Sequence, residues 1–238
     1  MNDVTFRDRA VFLGIRGGVL VVSDLHVGRD EAAAVSFPLG ERDDLRERLS
    51  ALIAHFTPET VVFAGDVIHT FDGVSDRSRE GLAALATACH DAGTELELVG
   101  GNHDTALATA WNGPVHDEYV VDHGVGDGAA RTVICHGHEP PETAGDRYLF
   151  GHVHPTIEIE GDRHPCFLVG EGTYRNADVV VLPAFNRLAP GVVVTDMDAA
   201  AFGSPLVSNV DDLCPFVYDA DTQETLRFPP LGEFRDLL

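Results

Sequence analysis

Val61-Val62-Phe63-Ala64-Gly65-Asp66 is a short apolar run, rich in β-branched residues, that stops abruptly at a carboxylate. Such a run reads as a buried strand, and the glycine and aspartate read as the loop leaving its carboxyl end. The same phrase recurs along the chain. Leu20-Val21-Val22-Ser23 is followed by Asp24, and Leu96 to Val99 leads through two glycines to Asn102. Val133-Ile134-Cys135 leads to His136, and Tyr148-Leu149-Phe150-Gly151 leads to His152. Five strands that each deliver a metal-binding type of residue at the carboxyl end predict an α/β protein with one convergent site. Between the first two strands, Glu41 to Phe56 places Leu45, Leu49, Leu52 and Ile53 at helical spacing. Between the second and third, Asp76 to Ala92 does so with Leu82, Leu85 and Ala86, and Gly93 is a natural stop. This β-α-β-α-β order implies parallel neighbours joined by right-handed crossovers.

Beyond these strands the character changes. Thr156 to Glu160, Cys166 to Gly170, Val179 to Leu182 and Val192 to Thr195 read as strands separated by turns, with a hairpin expected around Asp219 to Gln223. A second sheet stacked on the first accounts for them better than a separate domain, so residues 1–238 are expected to form one domain.

The formal net charge is −23, and all 16 basic residues are arginine. Acidic residues are spread along the chain, which fits adaptation to molar salt better than a tail reserved for a cationic partner. The expectation is a halophilic protein. Cys89, Cys135, Cys166 and Cys214 form no Cys-x-x-Cys pair, and reduced thiols are expected. Met1 to Ala10 is polar, and the apolar run that follows is broken by Arg16, so neither a signal peptide nor a membrane span is read there. A soluble, cytoplasmic protein with no membrane partner is expected.

Asp24-Leu25-His26 alone is a weak signal, and Gly-Asp occurs four times, so only its place after a strand singles out Asp66. Gly101-Asn102-His103-Asp104 is much more specific, and Gly151-His152-Val153-His154 is moderately so. His55, His90, His116, His123 and His164 stand apart from these clusters and read as surface or hydrogen-bonded histidines.

The order Asp-x-His, Gly-Asp, Gly-Asn-His-Asp, His-Gly-His, Gly-His-x-His resembles the calcineurin-like metallophosphoesterase superfamily over roughly the first two-thirds of the chain. The resemblance implies a four-layer α-β-β-α sandwich, two central mixed β-sheets flanked by helices, with two divalent metal ions at the strand ends. It also implies that Asp24, His26 and His154 hold the first metal, that Asn102, His136 and His152 hold the second, and that Asp66 bridges both. His103 matches the catalytic histidine, and Asp104 joins it as an orienting group. Mixed imidazole and carboxylate donors suit Mn2+, Fe, Zn2+ or Co2+ better than Ca2+. A bridged pair of cations about 3.5–4 Å apart lowers the pKa of a shared water, and the bridging hydroxide is expected to attack phosphorus.

Protein Ser/Thr phosphatases of this superfamily carry an Asp-Arg pair after the bridging aspartate, whereas here the run is Gly65-Asp66-Val67-Ile68-His69. Gly-Asp-x-x-His is similar to the nuclease subunit of the double-strand-break repair complex, which makes His69 a catalytic candidate. The segment Val181-Leu182-Pro183-Ala184-Phe185-Asn186, with Cys135-His136-Gly137-His138, resembles small archaeal and bacterial phosphoesterases. Some of these accompany DNA ligases or helicases and act as Mn2+-dependent DNA endonucleases. A phosphodiester substrate, DNA included, is therefore implied, along with a homodimer and association with a ligase or helicase. Arg147 and Arg175 flank ligand loops and are the expected phosphate contacts. The competing readings are a phosphomonoesterase, a nucleotide phosphodiesterase acting on a small metabolite, and a non-catalytic scaffold. The scaffold reading is disfavoured by the intact His103.

Overall fold

The computed structural model describes residues 3–15, 17–32, 40–69, 73–124 and 129–237. Arg16 and the second Gly-Asp pair, at Gly126, lie outside them. The chain opens with a hairpin, β1 (Val4–Arg7) and β2 (Ala10–Leu13), followed by β3 (Val19–Val22) and a one-turn helix, α1 (Arg29–Ala32). Next come α2 (Glu41–Phe56), β4 (Thr60–Ala64), α3 (Asp76–Asp91) and β5 (Glu95–Val99). The middle of the chain supplies β6 (Glu118–Asp122), β7 (Arg131–Cys135), β8 (Arg147–Phe150), β9 (Pro155–Ile159) and β10 (Asp162–Pro165). It continues with β11 (Phe167–Tyr174), β12 (Ala177–Val181) and β13 (Val192–Val193). The last elements are α4 (Ala199–Phe202), β14 (Cys214–Asp219), β15 (Glu224–Arg227) and α5 (Leu231–Phe234).

Two mixed sheets dominate, a five-stranded one ordered β1-β2-β3-β4-β5 and a seven-stranded one ordered β15-β14-β11-β12-β8-β7-β6. Period-2 alternation along each strand decides which layer a residue enters. Val19 and Val21 of β3, with Val62 and Ala64 of β4, point between the sheets and meet Ile134, Leu149 and Val180 of the second sheet. Their neighbours Leu20, Val22, Val61 and Phe63 point outward, where Leu45, Leu49, Leu52, Leu82 and Leu85 of α2 and α3 cover them. Burying an aliphatic side chain this fully stabilises the fold by ~1.5–3 kcal/mol. The outer face of the second sheet is covered differently. A three-stranded sheet, β10-β9-β13, lies there with α4 and α5, and Ile157, Phe202, Leu206, Leu231 and Phe234 pack on Tyr148, Phe150 and Val179. The expected layers are present, with this last layer made of one-turn helices and short strands.

The parallel pairings position the site. β3, β4 and β5 run side by side, with Val22 opposite Phe63 and Ala64 opposite Val99, so the loops after all three leave one edge. β7, β8 and β12 do the same in the second sheet. The two edges meet where the Phe185 N–H donates to the Ser23 carbonyl (2.8 Å). The pairing continues past the strand ends: the His26 N–H donates to the Asp66 carbonyl (2.8 Å) and the Val27 N–H to that of Val67 (2.9 Å).

Among the described residues no helix is long and apolar enough to cross a membrane. All four cysteines are free, and Cys89, Cys135 and Cys166 are buried. Burial pushes the thiols of Cys89 and Cys135 up to about 12, and that of Cys166 is raised for the same reason. Only Cys214 is half-exposed. Ellman's reagent at mildly alkaline pH should therefore find one fast thiol in the native protein and four after denaturation. Two or more fast native thiols would contradict this packing.

Candidate metal centre

Each strand end hands its polar residue to one cleft, and the backbone bends sharply to do so. Asp24 (φ 56°), His26 (φ 43°), Asp66 (φ 47°), His152 (φ 66°) and His154 (φ 52°) all occupy the left-handed region. This region is costly for side chains with a Cβ and is tolerated where the surroundings over-determine it, typically at functional sites. Close approach adds a second constraint. A Cβ on Gly101 would collide with the backbone nitrogen and Oδ1 of Asp66, and one on Gly151 would collide with Ser23 Oγ and Asp24 Oδ2. The glycines of these motifs are thus what lets neighbouring loops touch.

Asp66 lies at the middle, with its side chain 3% exposed. Its Oδ2 is 3.8 Å from His26 Nε2 and 3.9 Å from His103 Nε2. Its Oδ1 is 3.4 Å from His136 Nε2 and accepts from the His103 backbone N–H (2.9 Å). Asp24 is fully buried. Its Oδ1 is 2.9 Å from His154 Nε2, and its two oxygens accept from the His152 N–H at 3.2 and 3.0 Å. His154 Nε2 is in turn 3.3 Å from His26 Nε2. On the other side of Asp66, His136 Nε2 is 3.0 Å from Asn102 Oδ1 and 3.3 Å from His152 Nδ1. All seven expected ligands are therefore brought together. Asp24, His26 and His154 form one group whose donor atoms lie within 4.8 Å of one another, and Asp24, Asp66 and His136 form another. Carboxylate, imidazole and amide oxygen converging in buried surroundings, with His26 Nδ1 buried and without a hydrogen-bond partner, is a donor set that fits divalent cations.

Burial opposes charge on every member, and the neighbours decide the outcome. Asp66 is held below the usual carboxylate range because His136 and the His103 backbone N–H outweigh its desolvation. Burial drops His26 to about 3 and His152 to about 4. His136 and His154 lie on the other side of the balance: burial lowers them, but Asp66 and Asp24 respectively raise them above the ordinary imidazole value.

His103 is also in the cleft, with its side chain 26% exposed against 3% for Asp66, so it faces the open side. His69 stacks on it, with ring centroids 6.1 Å apart and planes at 10°, and stands edge-on to His26 at 5.4 Å. His26, His69 and His103 form a third close group of ring nitrogens. Asp104 takes another place. Its carboxylate accepts from the backbone N–H groups of Val67 (3.1 Å), Ile68 (2.9 Å) and Gly101 (2.9 Å). It fastens the Asp66 loop to the Asn102 loop and turns away from the reacting space, so its contribution is positioning.

The two arginines expected to contact substrate are not brought to the cleft. Arg147 begins β8, at the end of the strand remote from His152, and its guanidinium forms a two-pronged pair with Asp3 (2.8 and 3.0 Å). Arg175 lies in the tight turn before β12, over the Tyr174 ring, also at the amino-terminal end of a parallel strand. Nearness in sequence to a ligand loop is misleading here because a strand separates its two ends. Arg29 and His138, to which the sequence assigned no role, do lie close by. Arg29, just after the first ligand loop, anchors its Nε on the Leu188 carbonyl (2.9 Å) and acts electrostatically on His69. His138 has its ring centroid 5.2 Å from that of His136 and 6.1 Å from that of His152. The His-Gly-His repeat was its only visible signal.

The chain belongs to the calcineurin-like phosphoesterase family, whose profile matches residues 18–158, more than half of its length. A solved structure similar to it is the Pseudomonas putida nuclease MPE, 25% identical with a TM-score of 0.53, covering 88% of each chain. Another is the E. coli phosphoesterase YfcE, 15% identical with a TM-score of 0.45, covering 89% of this chain and 98% of that one. No curated protein sequence matches the chain.

Two measurements test the geometry. Asp104→Ala leaves three backbone N–H groups without their acceptor, at ~1–3 kcal/mol for each one that water does not reach. Chemical denaturation should show a loss of at least that size, and wild-type stability would refute the clasp. In the metal-free protein the unfolded chain protonates His26 and His152 near 6.5, whereas the folded chain waits until about 3 and 4. The contribution of both rings to stability is therefore fully present above 6.5 and is lost as pH falls through that window. His136 and His154 carry the opposite sign. Ring-nitrogen NMR should show the first pair titrating far below the second, and a common midpoint near 6.5 would contradict the arrangement.

Proposed function

We propose that this chain is a dinuclear-metal phosphodiesterase acting on DNA as an endonuclease. The observation that carries the reading is Asp66, whose two oxygens face different imidazole clusters from one buried position. Asp24, His26 and His154 would hold the first metal, Asn102, His136 and His152 the second, and Asp66 both. The mixed carboxylate, amide and imidazole donors suit Mn2+, Fe, Zn2+ or Co2+, and the resemblance to Mn2+-dependent endonucleases favours Mn2+ among them. Bound there, two divalent cations supply Lewis acidity and a nucleophile from water at neutral pH. The nuclease reading draws on the similarity to the Pseudomonas putida nuclease MPE and on the histidine four positions from Gly65, His69.

The side chains of the protein divide the remaining work. His103, on the open side of Asp66, is placed to hold a phosphoryl oxygen and to give a proton to the departing oxygen. A positioned acid of this kind is worth about 10²–10⁴ in rate. His69 stacks against His103 and limits the directions in which that ring can lean. Arg29 provides fixed positive charge at the His69 side, where charge gathers on the phosphoryl oxygens. Asp104 contributes indirectly by fixing the two loops that carry Asp66 and Asn102.

The test is a substrate panel in high-salt buffer with Mn2+: a chromogenic phosphodiester, the matching monoester, and linear and circular single- and double-stranded DNA. Diester hydrolysis with DNA cleavage is expected, and cleavage confined to the monoester would sink the proposal. His103→Ala should lower kcat by about 10²–10⁴ while bound Mn2+ per chain stays at the wild-type value.

A further inference from the structure

Beneath the first ligand loop lies a buried carboxylate that the proposed chemistry does not use. Glu41, the first residue of α2, is 6% exposed. Its Oε2 accepts from the Gly28 N–H (2.8 Å), and its Oε1 accepts from the Arg29 N–H (3.0 Å) and from Asn186 Nδ2 (2.6 Å). Asn186 is 1% exposed and reaches the same loop from the second sheet. Its Nδ2 also donates to the Leu25 carbonyl (2.8 Å) and lies 3.4 Å from that of His26. Its Oδ1 accepts from the Leu188 N–H (2.8 Å), and its own N–H donates to the Asp24 carbonyl (3.3 Å). The backbone of Leu25, His26, Gly28 and Arg29 is thus gripped from both sides by two side chains that never enter the cleft, and the Asn186 backbone adds a hold on Asp24.

We propose that Glu41 and Asn186 form a clamp that holds the Asp24-Leu25-His26 loop in its left-handed conformation and thereby sets the affinity of the first metal position. This deepens the dinuclear reading above and depends on it. Three facts support it beyond the contacts themselves. The three N–H donors converging on Glu41 require an acceptor with lone pairs at both oxygens, which only the carboxylate offers, since a glutamine would turn its own N–H₂ toward them. His26 and Asp24 both have φ near +50°, a conformation that persists only while its surroundings enforce it. Arg29, which carries charge to the His69 side, is placed by the same carboxylate and by the Leu188 carbonyl. Groups that orient metal ligands in this way are commonly worth about 10–100-fold in metal affinity. The clamp also gives the Val181 to Asn186 segment a physical purpose, because that segment carries Asn186 from the end of β12 across to the first sheet.

A neighbouring anchor separates positioning from general stability. Arg48 is 8% exposed, donates to the Phe185 carbonyl (2.7 Å), lies over the Phe185 ring (4.1 Å) and pairs with Asp8 (2.8 Å). It holds the same segment to α2 without touching the Asp24–His26 loop. Calorimetric Mn2+ titration of the full-length protein, with thermal melts of each variant, is the experiment. Glu41→Gln and Asn186→Ala should each weaken one of the two Mn2+ sites about 10–100-fold and leave the other at its wild-type value. Arg48→Met should lower Tm yet keep both affinities. Wild-type affinity in Glu41→Gln or Asn186→Ala, or equal loss in all three variants, would overturn the clamp. If Glu41→Gln does not fold, Asn186→Ala, which introduces no opposed N–H₂ group, decides. Wild-type protein that takes up no Mn2+ would refute the dinuclear reading, and the clamp with it.

Discussion

Asp24 is a carboxylate with no access to water, and such a group survives in a core only when donors surround it. Removing a charge from solvent costs several kcal/mol even after relaxation, and here the partners come from both sheets. The Ser23 hydroxyl lies 2.8 Å away from the Asp24 carboxylate, and the His152 N–H and the His154 ring approach it from the second sheet. The same serine is 2.7 Å from the Ala64 carbonyl, which ties β3 to β4 at the level of the cleft. Because these contacts cross the interface, the sheets cannot slide past each other without exposing a bare charge to a dry interior. The apolar residues between the sheets provide attraction without direction. The Asp24 contacts fix the register.

That register has a conformational cost at each strand end. Five of the seven expected ligands sit at positive φ, so the loops are bent more tightly than their sequences would choose. The bends are held in three ways that the structure keeps separate. Backbone ladders continue past the strands, Asp104 bonds two loops to each other, and Glu41 with Asn186 grips the third. Each device binds backbone and leaves the ligand side chains free to face the cleft. A binding site whose geometry is maintained by main-chain contacts can be rigid before anything enters it, which reduces the ordering that binding would otherwise require.

Much of this was legible in the sequence because the relevant signals are local. A β-branched run ending in Asp, Asn or His marks a strand and its ligand together, and α2 and α3 follow from leucine spacing, with α2 at its expected limits and α3 ending one residue early. The hairpin at Asp219 to Gln223 is likewise present between β14 and β15. Other features depended on contacts remote in sequence. β1 and β2 are each four residues long, and their turn is made by Asp8 and Arg9 at positive φ with no glycine to announce it. β6 becomes a strand by pairing with β7, its alternation being masked by Glu118 and Asp122. Arg147 looked like a phosphate ligand because only the fold could reveal Asp3, 144 positions away, as its partner. Glu41 and Asn186 were invisible as a pair for the same reason, being 145 positions apart.

The distribution of charge follows from these placements. Arg48 and Arg147 are spent inside the fold, where a planar guanidinium can satisfy a carboxylate with two parallel bonds that an ammonium cannot match. Around the cleft, Arg29 supplies fixed positive charge at the His69 side, and the rest of the cation-forming groups are imidazoles. Asp24 and Asp66 bring negative charge to the metal-free centre, burial holds His26 and His152 neutral, and His136 and His154 are the rings that balance the carboxylates, while the chain as a whole carries a net charge of −23. Two divalent cations would make the centre locally positive while changing the total by at most four charges. Screening decides how far either field extends, about 8 Å at physiological ionic strength and about 3 Å at 1 M. At high salt a phosphate approaching the cleft would feel the centre and little of the acidic surface, because the centre is met at contact distance and the surface is not. An acidic protein can therefore bind an anionic substrate if its cationic groups are few, buried to the rim and loaded first.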